Sequence, residues 1–442
     1  MTRARLLPAL LAALLSLAAA PAPESTSAVP FVPDDYGKAL AEARARKLPL
    51  FVEAWAPWCH TCRSMQAFVF SDKALAVRAG QFVWLSIDTE KKINAPFLTK
   101  YPVEVWPTLF VVDPAEEKAV MRWVGGATVP QLEKLLDDGR RAMRGKETGV
   151  DATLAQADRL YGEKKNAGAA AAYRKALAAA PPHWGPWARA TESLIFTLHK
   201  SGDQAGCAAE AREAFPKLAN SPSAANVASS GLDCALSLDR GEASRADLVA
   251  ALAADGRSVV ARPRADLAAD DVSSLYGSLA NEREDAGDAA GQRQVLTDWS
   301  AFLDGQAAAA KTPAARMVFD SHRLGVYIAL GEPQRAIPML KTSEKDFPED
   351  YNPPARLALA YEAMKDYEMA LASSDKALSR AYGPRLVGLL VVRARIHQEK
   401  GDLVSAHIAM QEAVREAEAL PPGQRSETQI AALKKQLESV PP

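Results

Sequence analysis

Small residues recur through the C-terminal half of this chain at the spacing of paired helices, and that recurrence excludes most folds for more than half its length. Lys365-Asp366-Tyr367 followed by Ala370 and Ala377 returns as Leu330-Gly331 then Ala336, and as Lys400-Gly401-Asp402 then Ala406 and Ala413. Ala336 to Ala370 is 34 residues and Ala370 to Ala406 is 36, the length of one helix-turn-helix unit. Such a unit cannot bury its apolar face alone, so copies must stack into a solenoid. The small positions are where two helices cross closely, and a proline ends the second helix. Ala169, Tyr173, Ala176 and Pro181 repeat the signature earlier. From Phe215 to Gln306 the composition is helical, without a clean register.

The first third reads differently. Asp34 or Asp35 can cap a helix to about Ala45, and Leu50-Phe51-Val52 is a short buried strand. Further strands are expected at Phe82 to Ile87, Thr108 to Val112 and Val120 to Val124, with a closing amphipathic helix over Val129 to Arg141. Alternating strands and helices imply an α/β domain of about 110 residues, expected over 34–143. Residues 144–150 read as a linker, and 151–442 as the repeat domain, clearest over 317–421. The 53 basic and 54 acidic residues leave no electrostatic footprint for nucleic acid.

Arg3 and Arg5 precede an apolar run from Leu6 to Ala20 that ends in small residues, the layout of a cleavable signal peptide over 1–22. The run is shorter than the roughly 20 residues a membrane span needs, and Pro8 interrupts it. A periplasmic or otherwise exported protein is expected, with 23–33 as a tether of Pro, Ser, Thr and Ala. Outside the cytoplasm disulfides persist, and that bears on the four cysteines.

Two of them stand in Leu50-Phe51-Val52-Glu53-Ala54-Trp55-Ala56-Pro57-Trp58-Cys59-His60-Thr61-Cys62. A strand runs into the motif and a helix should follow it, placing Cys59 at a helix N-terminus. Unpaired amides and the helix dipole lower a thiol pKa there. Cys59 is therefore the expected attacking thiolate, and Cys62, one turn on, the resolving one. A charge on His60 would favour the reduced form.

These residues resemble the active-site segment of the thioredoxin superfamily, protein disulfide isomerase domains included. The resemblance implies a thioredoxin fold, a central mixed sheet flanked by helices, before the all-α solenoid, whose motif is similar to tetratricopeptide repeats. It implies that Glu53 relays the proton of Cys62 and that Pro107, before Thr108, is a cis-proline beside the motif. Trp58, His60, Thr61, Trp106 and Thr108 would then line the substrate site. Phe68-Val69-Phe70-Ser71-Asp72 is similar to the C-terminal domain of DsbD, a periplasmic reductant carrier. His60-Thr61 is neither the Gly-Pro of thioredoxin nor the Gly-His of the isomerases, so the direction of exchange is left open.

Other readings compete. A purely structural Cys59–Cys62 bond would constrain little. A metal site would need two further ligands, and Cys207 and Cys234 lie in the other domain. Cys207 stands where the repeats want a small residue, so packing is its default role and a bond to Cys234 the alternative. The five histidines outside the motif show no ligand spacing and receive no role.

The expected function is thiol:disulfide exchange with protein thiols and disulfides, reduction by preference, without a cofactor because the sulfurs carry the electrons. An exported reductant needs a membrane electron donor. The repeat groove would hold a peptide or protein partner. The alternatives are a repeat scaffold with a secondary redox domain, and the oxidase or isomerase direction of the same chemistry.

Overall fold

The computed structural model describes residues 27–144, 149–262 and 264–439. The expected signal peptide lies outside them. Five strands form one mixed sheet: β1 (Phe31–Pro33), β2 (Leu50–Trp55), β3 (Val83–Asp88), β4 (Thr108–Asp113) and β5 (Lys118–Val124), in the order β1-β3-β2-β4-β5. β3 runs parallel to β1 and β2, while β4 is antiparallel to β2 and β5. β1 corrects the tether expectation for residues 31–33. A three-residue edge strand ending in proline has no periodicity to betray it.

Side chains alternate across a strand, so β2 sorts its residues between two cores. Leu50, Val52 and Ala54 pack with α1 (Tyr36–Arg46) and α3 (Ala95–Lys100), through Ala39, Leu40, Phe97 and Leu98. Phe51 packs on the opposite face, with the helical segment after Cys59 and with α4 (Val129–Met143). That segment is α2 (His60–Ser64), continued by a π-helical turn, Met65–Val69. Glu53, two residues after Phe51, shares that face and is 1% exposed. Gly139 lets α4 approach the sheet: a Cβ there would meet Val111 Cγ2 at 2.5 Å.

The rest, from Val150 to Glu438, is helical, and successive helices pack in pairs. Four of the turns inside these pairs share a common chemistry. Gly202, Gly287 and Gly401 adopt positive φ, which glycine tolerates, and the next residue, Asp203, Asp288 or Asp402, caps the following helix. Lys365 and Asp366 do the same without glycine. Gly287-Asp288 lies in the stretch where no register was visible. The small position five residues after the turn is there Gln292, which hides the repeat. No helix among the described residues is long and apolar enough to cross a membrane.

The array closes over the Cys59 end of the sheet. Asn352 Nδ2 donates to the Pro57 carbonyl at 3.1 Å and Arg63 pairs with Asp350 at 2.7 Å. Tyr382 donates to Asp88 at 2.6 Å, and Gln424 to the Thr89 carbonyl at 2.7 Å.

Candidate functional site

Cys59 and Cys62 form a disulfide, with Cα atoms 5.3 Å apart. Cys59 is the N-cap of α2 in extended conformation, and its Sγ accepts from the Cys62 amide at 3.0 Å. An amide aimed at that sulfur stabilises negative charge on it when the bond opens. Cys59 is 4% exposed and Cys62 fully buried, so the first sulfur is the one reached from outside. Ala56 and the two cysteines form one apolar cluster with Trp55, Trp58 and Trp106 around it. Trp58 and Trp106 meet edge to face, with centroids 5.1 Å apart.

Burial pushes the Glu53 carboxyl up to about 8. One oxygen takes the Ser86 hydroxyl at 3.4 Å, and the other has no hydrogen-bond partner. A group that holds its proton at neutral pH and can release it just above is suited to exchanging protons with a neighbouring thiol.

The Trp106–Pro107 peptide is cis. Pro107 offers its carbonyl to Gly125 N at 2.8 Å, tying the loop to the end of β5. Thr108 differs from its expected role: it is fully buried, and its hydroxyl donates to the Val105 carbonyl at 2.7 Å. Its side chain supports the loop from behind and does not face a client. Thr61 packs against Gly126, whose absent Cβ would lie 3.0 Å from Thr61 Cγ2.

Two tryptophans of the site are held by polar groups that sequence reasoning missed. Trp58 Nε1 donates to Glu90 at 2.8 Å, and the other Glu90 oxygen accepts from the Arg385 amide at 2.5 Å. Trp106 Nε1 donates to Thr89 at 2.7 Å. His60 also belongs to a cross-domain cluster. Its Nδ1 lies 2.8 Å from Asp270 and its Nε2 3.0 Å from His322 Nε2. His322 therefore corrects the reading that gave the outlying histidines no role. Ligand spacing detects partners on one element, and His322 comes from 262 residues away.

The motif lies between two openings. One cavity, about 690 Å³, is bounded by Trp58, Trp106 and Glu90 on one side and Arg385 and Gln424 on the other. A second, about 200 Å³, lies between Thr61, Val105 and Gly125 and the repeat residues Glu192 and Asp271. Both are walled by the two domains together. By geometry alone, His60, Asp270 and His322 could hold a metal ion, their ligand atoms lying within 4.8 Å of one another. His199, Cys207 and Cys234 also cluster, but there the two sulfurs are bonded to each other. That bond joins helices Gln204–Leu218 and Ala224–Leu236, so Cys207 is a bonded residue and not packing alone.

A thioredoxin-like family profile matches residues 32–114. Thioredoxin M4, chloroplastic, of Arabidopsis thaliana is 30% identical over 90 residues, taking in 20% of this chain and 44% of that protein. The chain thus spans under half the length of this curated relative. A tetratricopeptide repeat protein from Parabacteroides merdae covers 65% of this chain and 98% of its own, at 11% identity and a TM-score of 0.40. A thermophilic tetratricopeptide protein of Thermus thermophilus covers 66% and 98%, at 14% identity and a TM-score of 0.26. The chain is a thioredoxin-fold domain bearing a CxxC pair, followed by tetratricopeptide-like repeats. The repeat assignment rests on its own helix pairs.

Proposed function

We propose that this protein is an exported protein-disulfide reductase whose client meets Cys59 in the cleft between the two domains. The observation that carries the reading is the Cys59–Cys62 bond at the head of α2, with the Cys62 amide on the Cys59 sulfur. In the reduced protein the Cys59 thiolate attacks a client disulfide, and one client sulfur leaves as thiolate. Cys62 then gives up its proton to Glu53 in its ionised form, which burial makes an unusually strong carboxylate base, and attacks Cys59 Sγ. The second client sulfur leaves, the Cys59–Cys62 bond re-forms, and two electrons have passed to the client.

Resetting the couple requires a dithiol donor. The N-terminal leader pattern supports export, and an exported reductant draws its electrons through a membrane donor. The similarity of Phe68 to Asp72 to a periplasmic reductant carrier supports reduction over oxidation. The cavity walled by Trp58, Trp106 and Arg385 supports a client-binding role in which both domains share, instead of a free repeat groove.

The test is the reduction potential of the couple in glutathione buffers. A value near about −270 mV supports the reductase, and one near about −120 mV makes the protein an oxidase. If Cys59→Ala leaves the biological role intact, the repeats are the working part and the scaffold reading replaces this one.

A further inference from the structure

We propose that His60, Asp270 and His322 form a metal site, assembled only when the repeat array closes over the redox motif, and that its ion is a divalent transition cation such as zinc. The inference is independent of the exchange reading of Cys59.

The three ligands come from three elements and both domains. His60 opens α2, Asp270 lies in the first turn of the helix Ala269–Asp285, and His322 lies in the first turn of Asp320–Ala329. His60 stands between the other two. Its Nδ1 lies 2.8 and 2.9 Å from the Asp270 oxygens, and its Nε2 lies 3.0 Å from His322 Nε2. With one atom taken from each residue, the set fits within 4.8 Å. An ion at about 2.0–2.2 Å from each ligand would hold them at most about 4.4 Å apart. A small turn of the His60 ring, offering one nitrogen to a shared centre, closes that difference and exchanges the present hydrogen bonds for metal bonds.

The surroundings call for a cation. Asp270 is 5% exposed, and among the described residues its one ion-pair partner is His60. Asp271 adds a second carboxyl beside it. The arginines of this region are engaged elsewhere: Arg63 pairs with Asp350, and Arg356, which faces His322, is answered by Asp320 and Asp350. A buried carboxylate without lysine or arginine is a group that coordinates metals.

The outer groups fit as well. His322 Nδ1 lies 2.6 Å from Ser273 Oγ, which also accepts from Trp299 Nε1 at 2.7 Å. An oxygen on the far nitrogen orients the ring and leaves Nε2 for the ion, as metal-bound imidazoles require. A cavity of about 280 Å³ reaches Asp270 past Thr61, and the His60 side chain is 29% exposed. An ion can therefore enter, and a water can complete a tetrahedron. Two imidazoles with one carboxylate suit zinc and its divalent neighbours, where calcium and magnesium take oxygen alone and cuprous copper takes sulfur.

The test uses the oxidised full chain, in which all four cysteines are bonded and no thiolate competes for metal. After chelation and dialysis it is titrated with zinc chloride. One equivalent should bind, and in NMR the ring signals of His60 and His322 should shift together while that of His183 holds. His322→Ala and Asp270→Asn should each weaken binding by at least about 100-fold, and Ser273→Ala, which keeps all three ligands, by about 10- to 100-fold. If a ligand variant does not fold, Ser273→Ala carries the comparison. A native chain that binds no zinc, zinc that leaves the His60 and His322 signals in place, or variants that bind as tightly as the native chain would each overturn the proposal. The exchange reading is tested apart from this, by the reduction potential of the zinc-free chain.

Discussion

The Cys59–Cys62 and Cys207–Cys234 bonds have the same chemistry and opposite surroundings. The first closes a loop over a separation of 3 residues at a helix head, beside a cavity of about 690 Å³. The second links two helices over a separation of 27, with both sulfurs fully buried inside the largest apolar cluster of the repeats. Loop-closure entropy gives the longer link about 3.5 kcal/mol of stabilisation and the shorter about 1.6 kcal/mol. Opening the first costs the fold little, and the Cys62 amide is ready for the sulfur that results. Opening the second releases two helices and leaves the freed thiols facing the Ser230 carbonyl, 3.8 Å from Cys207, and His199, 3.4 Å from Cys234. Whether a disulfide exchanges or staples is decided by what surrounds it.

The largest effect expected is on turnover. Cys59→Ala should lower reduction of a disulfide substrate by at least about 10³-fold, because the nucleophile is gone. Its thermal unfolding should move little. The mirror experiment is Cys207→Ala with Cys234→Ala, which should leave turnover within about twofold and cost about 3.5 kcal/mol in denaturant unfolding. If that pair of substitutions abolished turnover instead, the contrast between the two bonds would collapse.

Next comes pH. Below its unfolded value, near 4.5, Glu53 is protonated in both states and contributes no pH dependence. Between there and about 8 the unfolded chain ionises while the folded one keeps the proton, so stability is lost as pH rises through that window. Glu53→Gln should remove this loss, raising stability by up to about 3 kcal/mol at pH 7 and by little at pH 4. The same variant should slow resolution of the mixed disulfide, which a quench assay would show as its accumulation. The smallest effect is expected at the clasp. Asn352→Ala deletes the hydrogen bond to the Pro57 carbonyl and should cost about 1 kcal/mol. Faster amide exchange around Cys59 would register it.

The parts legible in the sequence were those with local causes. β2, β3, β4 and β5 announce themselves by apolar runs, and the Asp35 cap by its place ahead of Tyr36. The helix after Cys59 follows from a strand that stops at Ala56-Pro57. Repeats with small residues in register were visible, and the one with Gln292 was not. The remainder of the site has causes that no local pattern records. Glu90, Asp270, His322 and Arg385 are ordinary surface residue types in unremarkable contexts. They become site residues because the array bends back, pairing His60 with positions 210 and 262 residues downstream.

That bending back has a kinetic side. Gln424 reaches the Thr89 carbonyl across 335 residues and Arg385 reaches Glu90 across 295. A chain made from its N-terminus completes the sheet long before those helices exist, and contacts so distant in sequence close late. During that interval the face around Cys59 stands bare, and its sulfurs are open to any oxidant or stray thiol they meet. The final repeats thus act as the last step in maturation of the redox centre. A chain cut short before Gln424 would carry the whole motif and never finish sheltering it.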